Sequence, residues 1–395
     1  MKSKHAVGVV ILFALCAGLL SFIKFDHCYN KQWSVPDVYT HACYSDIPAL
    51  FGARDLINHT WPFSSATNSV EYPPLTGVIM WATSLITPQS SQNFHIYFLI
   101  NIFLLLLLFI GSALLVWHMN PASWYLFIIA PAVIASLYIN WDMWAVITAL
   151  CAIYWFDRKK YDFSAIALGI SIATKFFPIV LLIPIATILW KRSEIKSTVR
   201  YIAFSLGLWV LINLPFALST PAGWWRFFKL NGNRGADFGS TYYSLQLLGI
   251  SIPAINLVSL LLFLIGSSGF GMYLLKKEYV PSLAQIAFIE VAVFTLASKV
   301  YSPQYILWLT PLAVITLQKK DRSAFWVWQG AEIMYHFGVW EYLATYSGAR
   351  FGLPAGGYAV MSVLRIAALI YFVLKIAPST REAPAQEQRF SLSAP

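Results

Sequence analysis

Charge is what this sequence has least of. Only 11% of its 395 residues are Asp, Glu, Lys or Arg, where an ordinary globular chain carries about 25%. Cysteine is scarce as well, with four in the whole chain, which excludes a small disulfide scaffold. There is no internal repeat, low-complexity tract or soluble domain, so disordered, collagenous and coiled-coil architectures are excluded too. No Cys or His pattern has the spacing of a metal site, and no glycine-rich phosphate loop appears, which argues against a soluble nucleotide donor. What the chain has instead is apolar mass: 58% hydrophobic, 16% aromatic and a mean hydropathy of +0.64. Repeated apolar runs reach about twenty residues, the length that spans a bilayer core. The net charge of +10 sits in short clusters between those runs, a pattern that orients a membrane protein and not one that binds nucleic acid.

The clusters set an order of spans. The first, 6–23, follows Met1-Lys2-Ser3-Lys4; no small-residue cleavage site follows it, so it reads as a retained span. Runs at 94–117, 121–138 and 141–156 come next, ending at Arg158-Lys159-Lys160, which the positive-inside rule places in the cytoplasm. Two cytoplasmic ends require an even number of crossings, so the run 75–87 should not cross. Its roughly 13 residues reach only about 20 Å. Residues 24–93 then form one large outer loop with an interfacial or re-entrant helix inside it. The run 163–190 has basic residues at both ends and must double back near Lys175-Phe176-Phe177-Pro178, as two crossings or as a re-entrant hairpin. Further spans are 201–218, 253–275, 281–298, 305–317, 324–343 and 357–376, for a total of about twelve crossings, or about ten with a re-entrant hairpin. The expected architecture is an all-α polytopic protein of the cytoplasmic membrane: one domain over 1–376, both termini cytoplasmic, and a disordered cytoplasmic tail at 377–395.

On this topology the unusual polar residues gather at the outer face. Asp26, Asp37 and Asp46 lie in the first outer loop, where an aspartate at the lipid–water boundary is suited to be a general base or is simply an exposed carboxylate. Cys28 and Cys43 share that oxidising side, either as a disulfide or as free thiols. Asp142, in Asn140-Trp141-Asp142, is placed to cap the helix that follows. Lys175 and Lys299 sit at membrane depth, where an ammonium costs at least about 2.5–3.5 kcal/mol and calls for a counter-ion, an anionic ligand or a route to the interface. Two such lysines on one face suggest a phosphate site. Glu332 and His336 are four residues apart on one helical face, as a mutually satisfied pair or with His336 as a proton donor or phosphate contact. Glu290 is a mid-span acid that pairs with a base or marks a proton path. Gly223-Trp224-Trp225-Arg226-Phe227-Phe228-Lys229 reads as an interfacial helix or a plain anchor.

Several of these runs match a known family. Cys43-Tyr44-Ser45-Asp46, then Arg54, then Glu71-Tyr72-Pro73-Pro74-Leu75-Thr76-Gly77 closely resemble actinobacterial members of the polyprenyl-phosphate-mannose-dependent GT-C glycosyltransferases. Within that superfamily the chain looks most like glycosyltransferase family 87, the alpha-1,2-mannosyltransferase group. Asn140-Trp141-Asp142, Thr174-Lys175-Phe176-Phe177-Pro178 and Lys299-Val300-Tyr301-Ser302-Pro303-Gln304-Tyr305 are similar to further blocks, in the same order, so the resemblance covers about Asp26 to Trp340.

The resemblance implies a GT-C fold whose long first outer loop carries membrane-parallel helices, with an extracytoplasmic active site. It implies a base in that loop; Asp46 matches best and Asp26 is the alternative. The expected donor-phosphate contacts are Lys175, Lys299, Gln304 and Arg54, with Asp142, Glu332 and Tyr72 supporting and His336 assisting. The expected substrates are a polyprenyl-phosphate sugar, most simply mannose, and a lipid or glycan acceptor, with inversion at the anomeric carbon and no metal or other cofactor. The competing class is a polytopic transporter or lipid flippase, in which Lys175, Glu290, Glu332 and His336 would line a pathway.

Overall fold

The computed structural model describes residues 2–277, 279 and 281–377. Most of the expected tail, 378–395, therefore lies outside the described residues. Among the described residues the fold is all helix, with no strand. Five helices are long and apolar enough to cross a membrane: His5–Asn30, Asn93–Met119, Ile195–Ser219, Ile255–Leu275 and Ala355–Ile376. Their outward faces expose leucines such as Leu19, Leu211 and Leu262, which suits lipid and would be a liability in water. The chain is a membrane protein.

The other runs are shorter or broken, so helix length alone does not give the expected twelve crossings. The run 121–138 is not one helix: Pro131 ends Tyr125–Ile129 and begins Pro131–Ser136, because proline has no N–H for the ladder but tolerates a first turn. The run 163–190 folds as expected around its break. Tyr161–Thr174 ends at Lys175, which is extended (φ −138°, ψ 137°), and a 3₁₀ turn at Phe177–Leu181 leads into Leu182–Lys191. The helix Pro74–Leu85 has 12 residues and packs beside Tyr161–Thr174; its Thr76 hydroxyl donates 2.6 Å to the carbonyl of Thr174, one of the acceptors the break frees.

Basic side chains gather the ends of helices on one side. Lys191 donates to the Leu274 carbonyl (2.9 Å) and to those of Lys277 and Tyr279, Arg200 pairs with Asp162 at 2.7 Å, and Arg322 donates to the Ala122 carbonyl at 3.0 Å. The basic clusters on 158–162 and 191–200 thus meet the one at 276–277.

Nearer the other side, the final hairpin of Arg322–Tyr346 against Ala355–Ile376 is closed by a buried ion pair. Arg365 Nε donates to Glu332 Oε2 at 2.7 Å, both side chains essentially without solvent. Arg365 also donates to the carbonyls of Tyr301 (2.7 Å) and Ser302 (3.2 Å) and stacks on the Tyr301 and Tyr335 rings. Glu332 Oε1 accepts from the Tyr301 hydroxyl at 2.6 Å and Trp328 Nε1 at 3.1 Å. Glu332 therefore pairs with Arg365 and not, as its spacing suggests, with His336. Gly239 completes the knot at φ +77°, where a Cβ would lie 2.1 Å from the Tyr301 carbonyl oxygen; its N–H donates to the Tyr358 hydroxyl at 2.6 Å.

Removing one partner of such a pair strands a buried charge. Arg365→Met is expected to destabilise the protein by about 3–5 kcal/mol, read as a lower unfolding midpoint in detergent. Adding Glu332→Gln should recover much of the loss.

Candidate active site

The connection between the first two long helices is stapled before it reaches the site. Cys28, at the end of Lys2–Asn30, forms a disulfide with Cys43 across 15 residues, with their Cα atoms 5.9 Å apart. Ser45 then caps the helix Asp46–Ala53 by accepting from the Ile47 N–H, while its own hydroxyl lies within 2.8 Å of the Tyr138 carbonyl and 3.1 Å of that of Ile139. The Asp46 N–H donates to the Ile139 carbonyl at 2.7 Å. These bonds dock a loop residue directly onto the stretch that precedes Asn140-Trp141-Asp142.

Asp46 is half-buried, and two phenols hold its carboxylate: Tyr72 donates at 3.0 Å, and Tyr44 donates as well. Burial pushes the Asp46 carboxyl above the usual carboxylate range; the nearby Lys175 ammonium and the two tyrosine donors pull it down, and Asp142 pushes it up again. Both tyrosines are themselves held above the usual phenol range, Tyr44 chiefly by the Asp46 charge and Tyr72 chiefly by burial, so they stay protonated as donors. A carboxylate that is more basic than usual and reachable from solvent is equipped to take a proton from a hydroxyl. Asp26 differs in kind: it is exposed, and its backbone carbonyl accepts from Asn30 within the helix.

Lys175 and Asp142 form the second half of the site. The ammonium lies 3.2 Å from Asp142 Oδ1 and 4.2 Å over the Tyr72 ring, with 12% of the lysine side chain exposed and none of the aspartate. Asp142 does not cap its helix. Trp141 occupies that position, Asn140 Oδ1 accepts from the Asp142 N–H at 3.0 Å, and the Asp142 carboxylate faces Lys175 and Trp308 Nε1 (3.0 Å). Trp308 is gripped between the Phe177 ring at 3.8 Å and the Tyr305 ring at 3.7 Å. Asp142 Oδ2 and Asn140 Nδ2 are buried without a protein partner. Such atoms call for a polar ligand or water.

The remaining expected contacts divide. Gln304 is buried in the 3₁₀ turn Pro303–Tyr305, on the approach to Trp308. Arg54 pairs with Glu71 through bonds of 2.6 and 2.8 Å, bracing the segment that carries Tyr72. Lys299 donates to the Asn256 side chain and the Gly232 carbonyl, and among the described residues no hydrogen bond or ion pair is shared between it and Lys175. His336 Nε2 accepts from Trp340 Nε1 at 3.2 Å and its Nδ1 lies 3.4 Å from the Ser136 hydroxyl. Accepting at Nε2 assigns the proton to Nδ1, and the Trp340 ring stands in turn 5.2 Å from that of Tyr44. Glu290 accepts from Ser267 at 2.7 Å, in place of a lysine or histidine partner. The helix Pro221–Asn233 is anchored on its neighbours by Trp224 Nε1 to Asn213 (2.9 Å) and by Gly223, where a Cβ would meet the Phe63 carbonyl oxygen at 2.0 Å.

Beside the polar cluster lies an apolar, aromatic-rich seam too tight for a water molecule. Pro73 and Pro74 follow Tyr72 in sequence and Phe176 follows Lys175; with Trp209, Trp224 and Phe228 they form it. Sequence reasoning missed this seam, and it missed Arg365. A lone arginine in the run 357–376 carried the same signal as Lys175, a cation in an apolar span.

No family model matches the chain, and no curated protein does. Among solved structures it is similar to ArnT from Cupriavidus metallidurans bound to undecaprenyl phosphate, at 15% identity and a TM-score of 0.48, over 93% of this chain and 78% of that one.

The field of Lys175 on Asp46 can be measured without a substrate. Infrared difference spectra between wild type and Asp46→Asn are expected to show a protonated carboxyl persisting above the ordinary range of about pH 4. Lys175→Gln should carry it to still higher pH, because the ammonium is the strongest influence lowering it.

Proposed function

We propose that the chain is a membrane glycosyltransferase of the GT-C type that moves a sugar, most simply mannose, from a polyprenyl phosphate to a hydroxyl of a lipid or glycan at the outer face of the membrane. The observation that carries this reading is the electrostatic coupling of a half-buried carboxylate, Asp46, to an ammonium, Lys175, beside an apolar, aromatic-rich surface. A lipid-linked donor presents this combination in one molecule: an isoprenoid chain to lie along apolar surface, a phosphate for the cation, and a sugar between the phosphate and the base. The motif resemblance to family 87 supports mannose and the polyprenyl phosphate.

In this reaction Asp46 takes the proton of the acceptor hydroxyl as its oxygen bonds to the anomeric carbon. The bond from that carbon to the phosphate oxygen breaks on the opposite face, and the phosphate leaves with the electron pair, inverting the configuration. Lys175, held in place by Asp142, offers its remaining donors to the phosphate as negative charge grows there, in a site partly shielded from water where such contacts count most. Phosphate needs no proton to leave, so a single carboxylate suffices. Tyr44 and Tyr72 keep the base oriented.

Membranes containing the chain are expected to transfer radiolabel from polyprenyl-phosphate mannose into lipid. Asp46→Asn should cost about 10²–10⁴ in rate, Lys175→Gln about 10²–10³, and Asp26→Asn nothing at equal expression. Activity should fall as pH drops, with its acid limb above the ordinary carboxylate range. Normal transfer by Asp46→Asn would remove the base. Absence of transfer with every polyprenyl sugar tried, together with lipid movement between leaflets, would establish a flippase.

A further inference from the structure

On the outer loop, away from Lys175 and Asp142, three side chains that bind metals converge. His27 Nε2 lies 2.6 Å from Asp37 Oδ2, and His41 Nδ1 lies 3.2 Å from Asp37 Oδ1. The two imidazoles stack face to face, 3.5 Å apart and 12° from parallel, so their nitrogens address the same carboxylate from neighbouring positions. The three ligand atoms lie within 4.8 Å of one another. Ligands bound to zinc at about 2.0–2.2 Å in a tetrahedron sit about 3.3 Å apart, and an imidazole lone pair lies in its ring plane, so seating an ion here requires one of the exposed rings to turn out of the stack as well as the His27–Asp37 contact to spread. The other polar groups near His41 Nδ1 are the Thr40 hydroxyl at 3.1 Å and the Asp37 carbonyl at 3.2 Å, both oxygens.

Three features suit a bound ion better than a plain hydrogen-bonded triad. The ligand set is two imidazoles and one carboxylate, which favours zinc, copper or nickel over calcium and magnesium, whose sites are built of oxygen. The geometry is held from outside: His27 precedes Cys28 and His41 lies two residues before Cys43, so the disulfide brings both histidines to the same place. Finally, the side chains are about one-third to one-half exposed (35%, 33% and 45%), which leaves a path for an ion and a position for water.

We infer that His27, Asp37 and His41 form a transition-metal site, most simply for Zn²⁺, that cross-links the end of the first long helix to the Asp37–Thr40 turn. Its effect would be structural. The turn also carries Tyr39, whose ring stacks 5.7 Å from that of Tyr44, one of the two donors to Asp46. The ion would thus brace the loop that presents the base, in parallel with the disulfide.

The test uses the full chain, purified in detergent without a histidine tag and dialysed against micromolar ZnCl₂, with metal counted by mass spectrometry. One zinc per chain is expected, with magnesium and calcium not retained. His27→Gln, Asp37→Asn and His41→Gln should each weaken retention at least tenfold while the Cys28–Cys43 disulfide still forms. Should a variant fail to fold, Cu²⁺ bound to the wild-type chain provides a second readout: its electron paramagnetic resonance spectrum should show coupling to two imidazole nitrogens. Wild-type protein that retains no zinc, variants that retain it as tightly as wild type, or a copper spectrum without nitrogen coupling would each overturn the site.

Discussion

The ion pair between Lys175 and Asp142 is the constraint from which the rest of the candidate site follows. A lysine at a helix break and an aspartate at a helix start are each costly inside a membrane protein, and each makes the other tolerable. Meeting at 3.2 Å, they tie the turn of the 161–191 hairpin to the start of Asp142–Asp157. Trp308 extends the tie to the Pro303–Tyr305 turn, and Thr76 brings in the interfacial helix Pro74–Leu85. Four stretches far apart in sequence are thereby held around one ammonium. The pairing leaves a second aspartate oxygen without a partner, so the site is satisfied as a fold and unsatisfied as a polar surface.

Asp46 feels the field of that ammonium from the start of a short helix in a long connection, which would ordinarily be too mobile to aim a base. Three restraints remove the freedom: the Cys28–Cys43 disulfide, the Ser45 and Asp46 bonds to the 138–139 backbone, and the Arg54–Glu71 pair that steadies the segment bearing Tyr72. In that pair Arg54 holds Glu71 bidentately, a contact that suits a guanidinium better than a lysine. The buried Glu332–Arg365 pair does the equivalent job on the far side by fixing Tyr301 and Ser302, the residues that lead into Gln304 and Tyr305.

Much of this was legible in the order of residues. The apolar runs located most of the long helices, although the first continues to Asn30 and the run 121–138 breaks at Pro131, and Pro178 and Lys175 gave the hairpin turn. Parity of the basic clusters kept 75–87 out of the set of crossings, and the helix there has 12 residues. Asp46, Tyr72, Asp142 and Lys175 were all singled out, and they meet. Side-chain pairing was harder to read. Spacing of four residues allied Glu332 with His336, yet Arg365, 33 positions away, took the glutamate because a guanidinium with three acceptors around it satisfies a buried carboxylate better than an imidazole can. Lys299 matched Lys175 in type and setting and went elsewhere, since Asn256 and Gly232 lay within reach.

By itself the sequence determined that this chain is helical, apolar and bound to a membrane, because the length and composition of a run decide whether its backbone can satisfy itself in lipid. It also marked where polar residues interrupt those runs. Only the tertiary structure decided which interruptions face one another. Contacts such as Asp142 with Lys175, Glu332 with Arg365, and His27 with Asp37 and His41 depend on how helices cross and how one loop is stapled. Those geometries arise from many weak packing contacts acting together, and no local spacing encodes them.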